Sequence, residues 1–308
     1  MKYSVLIVNY KTKDKVLALV EDLHELLEKL EFEIIIIDNH SGDKFQQTPD
    51  KTNIFYMNQN LGFGKAMNYA AAKANGEVLV LVNPDCRIDP KQNFHQFVSS
   101  NLESQVGILT SLIRYPDGRI QPNRGSPSGL STYVFQFLRL GRFKRYFPRF
   151  FMRIKPIRNS FIGKYLDYTT SAPKTQECEW VSGAFMIVRK ENFEKVSGFD
   201  PNFFMYCEDE DLCIRVRELG LKIMYSSEFT LIHEVGGAQL EFLDQRLKYS
   251  ELMRLQSNLY FLSKYHSAVK VNFLRIFYGF SYLTMSLKIR HMSKYLKVGS
   301  NFLIGKVL

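Results

Sequence analysis

Apolar residues recur with two different periods along the first hundred positions of the chain. Short runs that are apolar almost throughout are typical of strands buried on both faces of a sheet. Four such runs occur here: SVLIVNY, EIIIID, NIFYMN and EVLVLVNPD. Between them, residues 13–30 carry apolar side chains at helical spacing, and KAMNYAAAKA is an Ala-rich helix that ends at Asn75 and Gly76. This alternation of strands and helices predicts an α/β domain with a mostly parallel sheet.

The second half of the chain has a more mixed pattern. CEWVSGAFMIVRK and KIMYSS have the composition of strands, and DLCIRVRELG that of a helix which ends at Gly220. Residues 242–265 and 269–290 have the apolar spacing of two amphipathic helices. We therefore predict a catalytic domain over residues 1–240 and a helical extension over residues 241–308.

The positive charge of the chain is concentrated in two segments. The sequence has 41 Lys and Arg against 31 Asp and Glu, which gives a net charge of +10. An insertion over about 130–166 includes residues 139–164, where nine Lys or Arg alternate with Phe and Tyr, and the tail after Tyr260 has eight basic residues and no acid. This surplus predicts an anionic partner: nucleic acid, anionic lipid or a phosphorylated ligand.

Cysteine usage and hydropathy indicate a reducing compartment. The four cysteines form no CxxC pair and are too few for a disulfide framework. The N-terminal apolar run is too short for a signal peptide. No stretch reaches ~18 apolar residues, because Arg275 interrupts the nearest one, residues 271–287. We expect a cytoplasmic protein without a spanning helix.

Polar side chains follow each of the four predicted strands. Asn9 and Tyr10 follow the first strand, Asp38 and Asn39 the second, Asn58 the third, and Asn83-Pro84-Asp85 the fourth. Ligands of open parallel sheets bind beyond the carboxyl ends of the strands. Asn and Asp at these places can also cap the following helices. Their occurrence after all four strands favours a shared pocket.

Two further segments carry candidate chemistry. Lys65 stands near the start of a helix in NLGFGKAMN, where it could meet a diphosphate or simply follow an ordinary turn. Glu208–Asp211 is a run of four acids after an aromatic stretch, which could favour a helix dipole or supply a base beside apolar surface. His233 follows after a predicted helix and strand, and with the carboxylate of Asp85 it could bind a metal.

The motifs, taken in order, resemble a known family. They are VNYKT, IIIIDNHSGD, NQNLGFGKAMN, VLVLVNPD, WVSGAFMIVRK, GFDPNFFMYCEDEDLCIR and HEVGGA. The combination is similar to the family 2 inverting nucleotide-sugar glycosyltransferases of GT-A fold, nearest to their bacterial rhamnosyltransferase-like branch. The resemblance extends from residue 3 to about residue 238 and excludes the basic insertion and the tail.

The resemblance implies roles for the matching positions. Asp209 would be the catalytic base, and Asp85 and His233 would bind a divalent cation, Mg²⁺ or Mn²⁺. Contacts with the donor nucleotide and its diphosphate are implied for Asn9, Tyr10, Asp38, Asn60, Lys65, Asn68, Asn83 and Asp85. The acceptor side is implied to include Trp180, Ser182, Gly183 and Glu208.

Two positions depart from the family pattern. Asn83 stands where the family has the first Asp of its DxD motif, so the site keeps an oxygen and loses a negative charge. Metal binding is therefore expected to depend more on the donor diphosphate. Lys65 stands where many relatives carry a small residue.

The expected activity is metal-dependent transfer of a sugar, with inversion, to a hydroxyl of a saccharide or a polyprenyl-diphosphate-linked acceptor in cell-surface polysaccharide synthesis. The resemblance favours dTDP-rhamnose as donor and leaves UDP-sugars open. A sugar nucleotidyltransferase is disfavoured because NYKTKDK, after the first strand, lacks glycine. A non-catalytic module that binds nucleic acid or membrane would leave the acids of Glu208–Asp211 unexplained.

The tail also predicts contact with the cytoplasmic face of a membrane, where a polyprenyl-linked acceptor would lie. Apolar side chains at broadly helical spacing are flanked by Lys and Arg, as in an interfacial helix. The apolar residues are Val269, Phe273, Ile276, Phe277, Phe280, Leu283 and Leu287. The alternatives are a helix pair packed on the catalytic domain and, less favoured, RNA binding.

Overall fold

The computed structural model describes residues 2–42, 44–125, 128–137, 174–234, 249–286 and 300–301. These residues belong to two compact units. The first unit contains the strands and most of the helices, and the second contains three helices from separate parts of the chain.

Strands and helices alternate along the first unit, as the apolar periods predict. The strands are β1 (Tyr3–Asn9), β2 (Phe32–Asp38), β3 (Thr52–Tyr56), β4 (Val78–Val82), β5 (Cys86–Ile88), β6 (Val106–Arg114), β7 (Arg124–Gly125), β8 (Gln176–Cys178), β9 (Trp180–Val181), β10 (Phe185–Arg189) and β11 (Lys222–His233). The helices are α1 (Lys13–Leu26), α2 (Phe63–Lys73), α3 (Phe94–Asn101), α4 (Leu130–Phe137), α5 (Lys190–Lys195), α6 (Glu208–Glu218), α7 (Tyr249–Tyr265) and α8 (Ala268–Ser286). Helices α4, α7 and α8 form the second unit.

One sheet forms the centre of the first unit. In the part of the chain that the structure describes, its order is β3-β2-β1-β4-β10-β6-β11-β5, and β8 pairs with β11. Strands β1 to β4, β6 and β11 run in one direction, and β5, β8 and β10 run in the other. The sheet is therefore mostly parallel, which confirms the predicted α/β class. Strands β7 and β9 pair separately.

Apolar layers cover both faces of this sheet. Every residue of β1 and β4 is buried, as expected for strands with helices on both sides. Helices α1 and α3 pack on one face, with Leu19 and Phe97 in the core. Helices α2 and α6 pack on the other, with Met67 and Leu212 in the core. The polar strand ends are therefore left at the edge of the sheet, between the covering layers.

The segment CEWVSGAFMIVRK differs from its prediction as one strand. It contains the last residue of β8 and the whole of β9 and β10, and the break between β9 and β10 includes Ser182 and Gly183. The Ser182 N–H donates to the Asn123 carbonyl at 2.9 Å, and the Gly183 N–H donates to a side chain. Because these two N–H groups bond outside the main sheet, the strand breaks there and turns into β10.

The second unit has its own small core. The rings of Tyr133 in α4 and Phe261 in α7 pack edge to face, with 6.4 Å between their centroids. The Asn258 side chain in α7 donates to the Tyr278 hydroxyl in α8 at 3.2 Å. Helices α7 and α8 confirm the helical character predicted for residues 242–265 and 269–290 over the part of these ranges that the structure describes. The basic run 139–164 lies outside the described residues, and the division into domains 1–240 and 241–308 stays a prediction.

Hydropathy agrees with the predicted absence of a spanning helix. Within the described residues, neither α8 nor any other helix combines the length and apolarity that a membrane crossing requires.

Candidate active site

Asn9 and Asp38 form a buried pair at the ends of β1 and β2. The two strands are parallel and in register at these residues, so the side chains lie side by side. Asn9 Nδ2 donates to Asp38 Oδ2 at 2.8 Å, and Asn9 Oδ1 accepts from the Thr12 N–H at 3.1 Å. The Ser41 N–H donates to Asp38 Oδ1 at 3.1 Å. Asn9 therefore also braces the turn into α1, and its contact with a donor nucleotide stays a prediction.

Asn39 and Asn60 build the loop that leads into α2. Asn39 Oδ1 accepts from the Leu61 N–H at 2.8 Å, and Asn39 Nδ2 donates to Asn60 Oδ1 at 2.9 Å. Asn60 Oδ1 also accepts from the Gly62 N–H at 2.9 Å. The sequence showed Asn39 as a strand-end residue without assigning it a role in the site. Lys65 is exposed in the first turn of α2, next to this loop.

Residues 199–207 pack directly against this loop. Gly62 has φ of +79°, and a side chain there would collide with the Phe204 carbonyl, which accepts from the Phe63 N–H at 3.0 Å. Asn68 in α2 donates to the Phe199 carbonyl and accepts from the Phe199 N–H, both at 2.8 Å. The Asn68 amide is thus used at both ends to position this segment, and its contact with a donor stays a prediction.

The start of α6 follows a tight turn. Tyr206 and Cys207 have φ of 73° and 67°, a left-handed conformation that non-glycine residues adopt rarely. Strained backbone of this kind concentrates at functional sites. Arg215 in α6 donates to the carbonyls of Val196 and Gly198, the latter at 2.7 Å, and so ties α6 to the segment that follows α5. The four-acid run therefore begins directly after two residues in the left-handed conformation.

Asp211 has a structural role among the four acids. Its carboxylate is fully buried, accepts from Arg215 Nε at 2.8 Å and forms an ion pair with Arg215, 2.7 Å from Nη2. The predicted dipole-capping alternative accounts for part of the run, since all four acids lie in the first turn of α6.

Asp209 is held by the loop between β9 and β10. Its Oδ2 accepts from the Gly183 N–H at 3.0 Å, and its Oδ1 accepts from the Glu210 N–H at 2.8 Å. Burial raises the pKa of the Asp209 carboxyl, while these backbone N–H groups and the Trp180 side chain act to lower it. The result is a partly buried carboxylate with a raised pKa, which suits a general base.

Glu208 is buried beside Asp209. Burial, and next the charge of Asp209, raises the pKa of Glu208 to about 8. Its Oε2 atom is buried and has no hydrogen-bond partner. Two adjacent carboxylates in a buried position resist carrying two negative charges, so Glu208 holds a proton at neutral pH while Asp209 is the group that can ionise.

The loop that holds Asp209 also contacts the end of β4. The Ala184 carbonyl accepts from the Asn83 N–H at 3.0 Å, one residue after the N–H that binds Asp209. Residues 183 and 184 therefore join the candidate base to the Asn83-Pro84-Asp85 segment. Ser182 lies on the same loop and Trp180 in the preceding strand β9, and their role on the acceptor side stays a prediction.

Asp85 and His233 meet because β5 pairs with the end of β11. His233 Nε2 lies 3.1 Å from Asp85 Oδ1, and the Glu234 N–H donates to the Asp85 carbonyl at 2.9 Å. The Gln121 side-chain amide lies 3.0 Å from His233 Nδ1 and orients the ring. Sequence reasoning missed Gln121, which no motif marks.

The Asp85–His233 pair fits a divalent cation in part. A carboxylate oxygen and an imidazole nitrogen suit Mn²⁺, and a carboxylate suits Mg²⁺. Within the described residues, no three His, Cys, Asp or Glu side chains cluster around a possible metal. The residues present therefore fit a cation that takes its remaining ligands from a diphosphate and water.

The fold and this arrangement of carboxylates define a glycosyltransferase of GT-A fold. The sequence profile described as "Glycosyl transferase family 2" matches residues 4–196, and a second, "N-terminal domain of galactosyltransferase", matches residues 170–234. The chain belongs to glycosyl transferase family 2, in its rhamnosyltransferase-like branch, which confirms the resemblance found in the motifs.

Two relatives illustrate this similarity. "Rhamnosyltransferase WbbL" of Escherichia coli is 25% identical over 290 residues, which cover 88% of this chain and 97% of the relative. "N-acetylglucosaminyl-diphospho-decaprenol L-rhamnosyltransferase" of Mycobacterium tuberculosis is 27% identical over 217 residues, which cover 65% of this chain and 66% of the relative.

Solved structures share the fold at low identity. The structure of Staphylococcus aureus TarS 1–349 in complex with UDP has a TM-score of 0.51 and 16% identity, with 99% of this chain and 92% of that one covered. The structure of GalNAc-T7 with UDP, GalNAc and Mn²⁺ has a TM-score of 0.55 and 15% identity. This chain is covered to 98% there and spans about half, 54%, of that structure.

Proposed function

We propose that this glycosyltransferase moves a sugar from a nucleoside-diphosphate donor to an acceptor hydroxyl with inversion, and that Asp209 is the base. The proposal rests mainly on one observation: residues 183 and 184 bind both the Asp209 carboxylate and the backbone of Asn83, each through a 3.0 Å hydrogen bond. A base and a strand end suited to a donor diphosphate are thereby held on one short loop.

The chemical step uses Asp209 alone among the acids at the start of α6. Asp209 accepts the proton of the acceptor hydroxyl while the hydroxyl oxygen attacks the anomeric carbon of the donor. The bond from that carbon to the diphosphate oxygen breaks, and its electron pair leaves with the nucleoside diphosphate. A base of this kind contributes ~10²–10⁴-fold to the rate. Because Glu208 is protonated, the negative charge of the Glu208–Asp209 pair lies on Asp209.

Asp85 and His233 are the residues that would hold a divalent cation. Such a cation supplies positive charge to a leaving diphosphate. Asn83 is neutral, so the protein provides one carboxylate here, and binding is expected to be tighter in the presence of the donor. Gln121 keeps His233 Nε2 directed at Asp85.

The donor we favour is dTDP-rhamnose, and the setting is cell-surface polysaccharide synthesis. Two relatives are named as rhamnosyltransferases, one of them acting on a diphospho-decaprenol, and another is named "O-antigen biosynthesis protein RfbC". The titles of solved structures that share the fold name UDP, so a UDP-sugar is the alternative donor. A polyprenyl-diphosphate-linked saccharide is the acceptor class that these names favour.

A thermal-shift screen followed by product analysis tests this function. We expect dTDP-rhamnose with Mn²⁺ or Mg²⁺ to raise the melting temperature more than UDP-N-acetylglucosamine or UDP-galactofuranose does, and less in EDTA. NMR of the transferred sugar should show the anomeric configuration opposite to that of the donor. A larger shift with a UDP-sugar would refute the donor, and retention of configuration would refute the single displacement.

We also propose that α8 contacts the anionic lipid of a membrane. Four large apolar side chains lie exposed on one stripe of α8: Val269 at 78%, Phe273 at 53%, Ile276 at 46% and Phe280 at 59%. Leu274, Tyr278 and Tyr282 are buried on another. The spacing of the exposed residues matches an interfacial helix, and the basic residues of the tail complement anionic headgroups. Binding to a membrane would bring the enzyme to the surface in which a polyprenyl-linked acceptor is anchored.

A further inference from the structure

Arg124 in β7 is a buried cation for which the described residues provide no counter-ion. The residue is 4% exposed, and its guanidinium carbon lies 3.9 Å from the centre of the Tyr225 ring in β11. Among the described residues, the Arg124 Nε atom has no hydrogen-bond partner, and no Asp or Glu forms an ion pair with this side chain. A buried charge is costly unless it is paired, so an unpaired arginine marks a place where a partner can bind.

A second donor beside Arg124 also lacks a partner. The Tyr225 hydroxyl is buried, and its O–H has no acceptor among the described residues. Burial raises the pKa of Tyr225, whereas the positive charges of Arg124 and Arg114 and a hydrogen bond from the Arg124 side chain lower it. The surroundings of this hydroxyl are therefore positive. An N–H and an O–H that are both unsatisfied in a positive environment match an oxyanion.

Residues 121–125, which include Arg124, border the candidate active site. At the start of this segment, Gln121 contacts His233, one of the two candidate metal ligands. In its middle, the Asn123 carbonyl accepts from Ser182, whose neighbour Gly183 binds the Asp209 carboxylate. At its end, Gly125 packs against the Trp180 ring of the acceptor wall, where an added Cβ would lie 3.4 Å from Cε3. Arg124 is thus one residue away from the positions that contact the base loop.

We propose that Arg124, together with the Tyr225 hydroxyl, binds a phosphate oxygen of the acceptor. This inference rests on the proposed function, because it names the residue that would bind the anionic group of the acceptor. The planar guanidinium already stacks on Tyr225, so it can bind a phosphate with little loss of side-chain freedom. The phosphate could belong to a prenyl diphosphate or be a free phosphate ion, and the two sources are separated below.

Arg124→Met provides the test, because Met has similar length and no charge. The control is Arg87→Met, which removes an exposed arginine that is ion-paired with Asp22 at 2.7 Å. Melting temperatures would be measured with saturating UDP or dTDP and Mg²⁺, so that the donor site is occupied, while farnesyl diphosphate, farnesol or inorganic pyrophosphate is titrated. We expect farnesyl diphosphate to stabilise the wild type and Arg87→Met, and its apparent affinity to fall about tenfold or more in Arg124→Met.

The other arms decide between a site and a structural role. Without ligand, Arg124→Met should melt at or above the wild-type temperature, because an unpaired buried charge is removed. A lower melting temperature together with an unchanged response to farnesyl diphosphate would show that Arg124 only supports the fold. An equal response to inorganic pyrophosphate and farnesyl diphosphate would overturn the assignment to the acceptor. An equal response to farnesol and farnesyl diphosphate would refute phosphate binding by Arg124.

The test still gives a result if Arg124→Met does not fold or if the wild-type protein shows no transferase activity. If Arg124→Met does not fold, Arg124→Lys keeps the charge, and we expect it to retain part of the farnesyl diphosphate response; no response would count against the proposal. Because the readout is anion binding, it is independent of sugar transfer. Loss of the response in Arg124→Met with no nucleotide-sugar binding by the wild type would refute the proposed function and support the anion site.

Discussion

His233 Nε2 lies 3.1 Å from Asp85 Oδ1, although 148 positions separate the two residues in the chain. The contact exists because β11 pairs antiparallel with β5, which places His233 opposite Cys86. Strand β11, which follows α6, therefore ends next to β5, directly after the Asn83-Pro84-Asp85 segment. The base segment and the candidate metal pair are connected in this way by one helix and one strand.

Metal binding should depend on both members of this pair. We expect Asp85→Ala and His233→Ala each to weaken donor binding measured with Mn²⁺ and to change donor binding in EDTA little, since each removes one of two protein ligands. Isothermal titration of the donor with and without Mn²⁺ measures this. Full transfer activity of the wild type in excess EDTA would show that no cation is needed.

Asp209→Asn tests the base. The amide can still accept from the Gly183 N–H but cannot take a proton, so turnover should fall at least ~10²-fold while donor affinity changes little. Glu210→Gln is the matched control, because it changes a neighbouring acid of the same helix turn and should leave turnover within a few-fold of wild type. Near-wild-type turnover of Asp209→Asn would assign the base elsewhere.

Glu208 should make stability depend on pH. Its pKa in the folded protein, about 8, lies above the ordinary value of 4.5, so the folded state binds more protons between these two values. Wild-type stability should therefore fall as pH rises from 4.5 to 8, and this loss should be smaller in Glu208→Gln. Melting temperatures at pH 5, 7 and 9 check the prediction. Parallel pH profiles for the two proteins would contradict it.

Arg215 should be a major contributor to the stability of the base segment. Arg215→Met removes the guanidinium that pairs with the fully buried Asp211 carboxylate and donates to two carbonyls. Breaking a buried ion pair from one side costs about 3–5 kcal/mol in the free energy of unfolding. The control Arg217→Met removes a more exposed arginine, paired with Glu179 at 3.8 Å, and should cost less than ~1 kcal/mol. Urea unfolding of the two variants gives the comparison, and equal losses would argue against the brace.

Membrane contact through α8 should require its exposed aromatic residues. Phe273→Ser with Phe280→Ser should weaken binding to vesicles that contain anionic lipid, and high salt should weaken binding of the wild type. Leu219→Ser, which removes a similarly exposed apolar residue of the first unit, serves as control. Vesicle sedimentation measures the effect. Equal binding of the wild type to neutral and anionic vesicles, or to neither, would contradict the lipid assignment.

Local pattern was sufficient for most elements of the first unit. The continuous apolar runs predicted β1, β2 and β4, because strands buried on both faces need apolar residues at every position. The run NIFYMN also forms a strand, β3, but the prediction that it is buried was wrong, because β3 lies at the edge of the sheet and Tyr56 is exposed. The spacing of apolar residues predicted α1, and the acids at Glu208–Asp211 marked the start of α6. The four acids next to an aromatic run gave a local signal for a candidate base, and the resemblance to the family singled out Asp209 among them.

Contacts between distant segments were established only by packing. Asn68, for which the family resemblance implies a contact with the donor, binds the backbone of Phe199, 131 positions away, and so positions that segment. Gln121 and Arg124 stand in no motif, and Asn39 stands in one without an assigned role; the contacts of all three depend on neighbours from other segments. The insertion of β10 between β4 and β6 likewise has no local signature. Sequence periodicity reports which face of an element is buried, whereas the identity of the neighbour is decided by how the buried faces close-pack together.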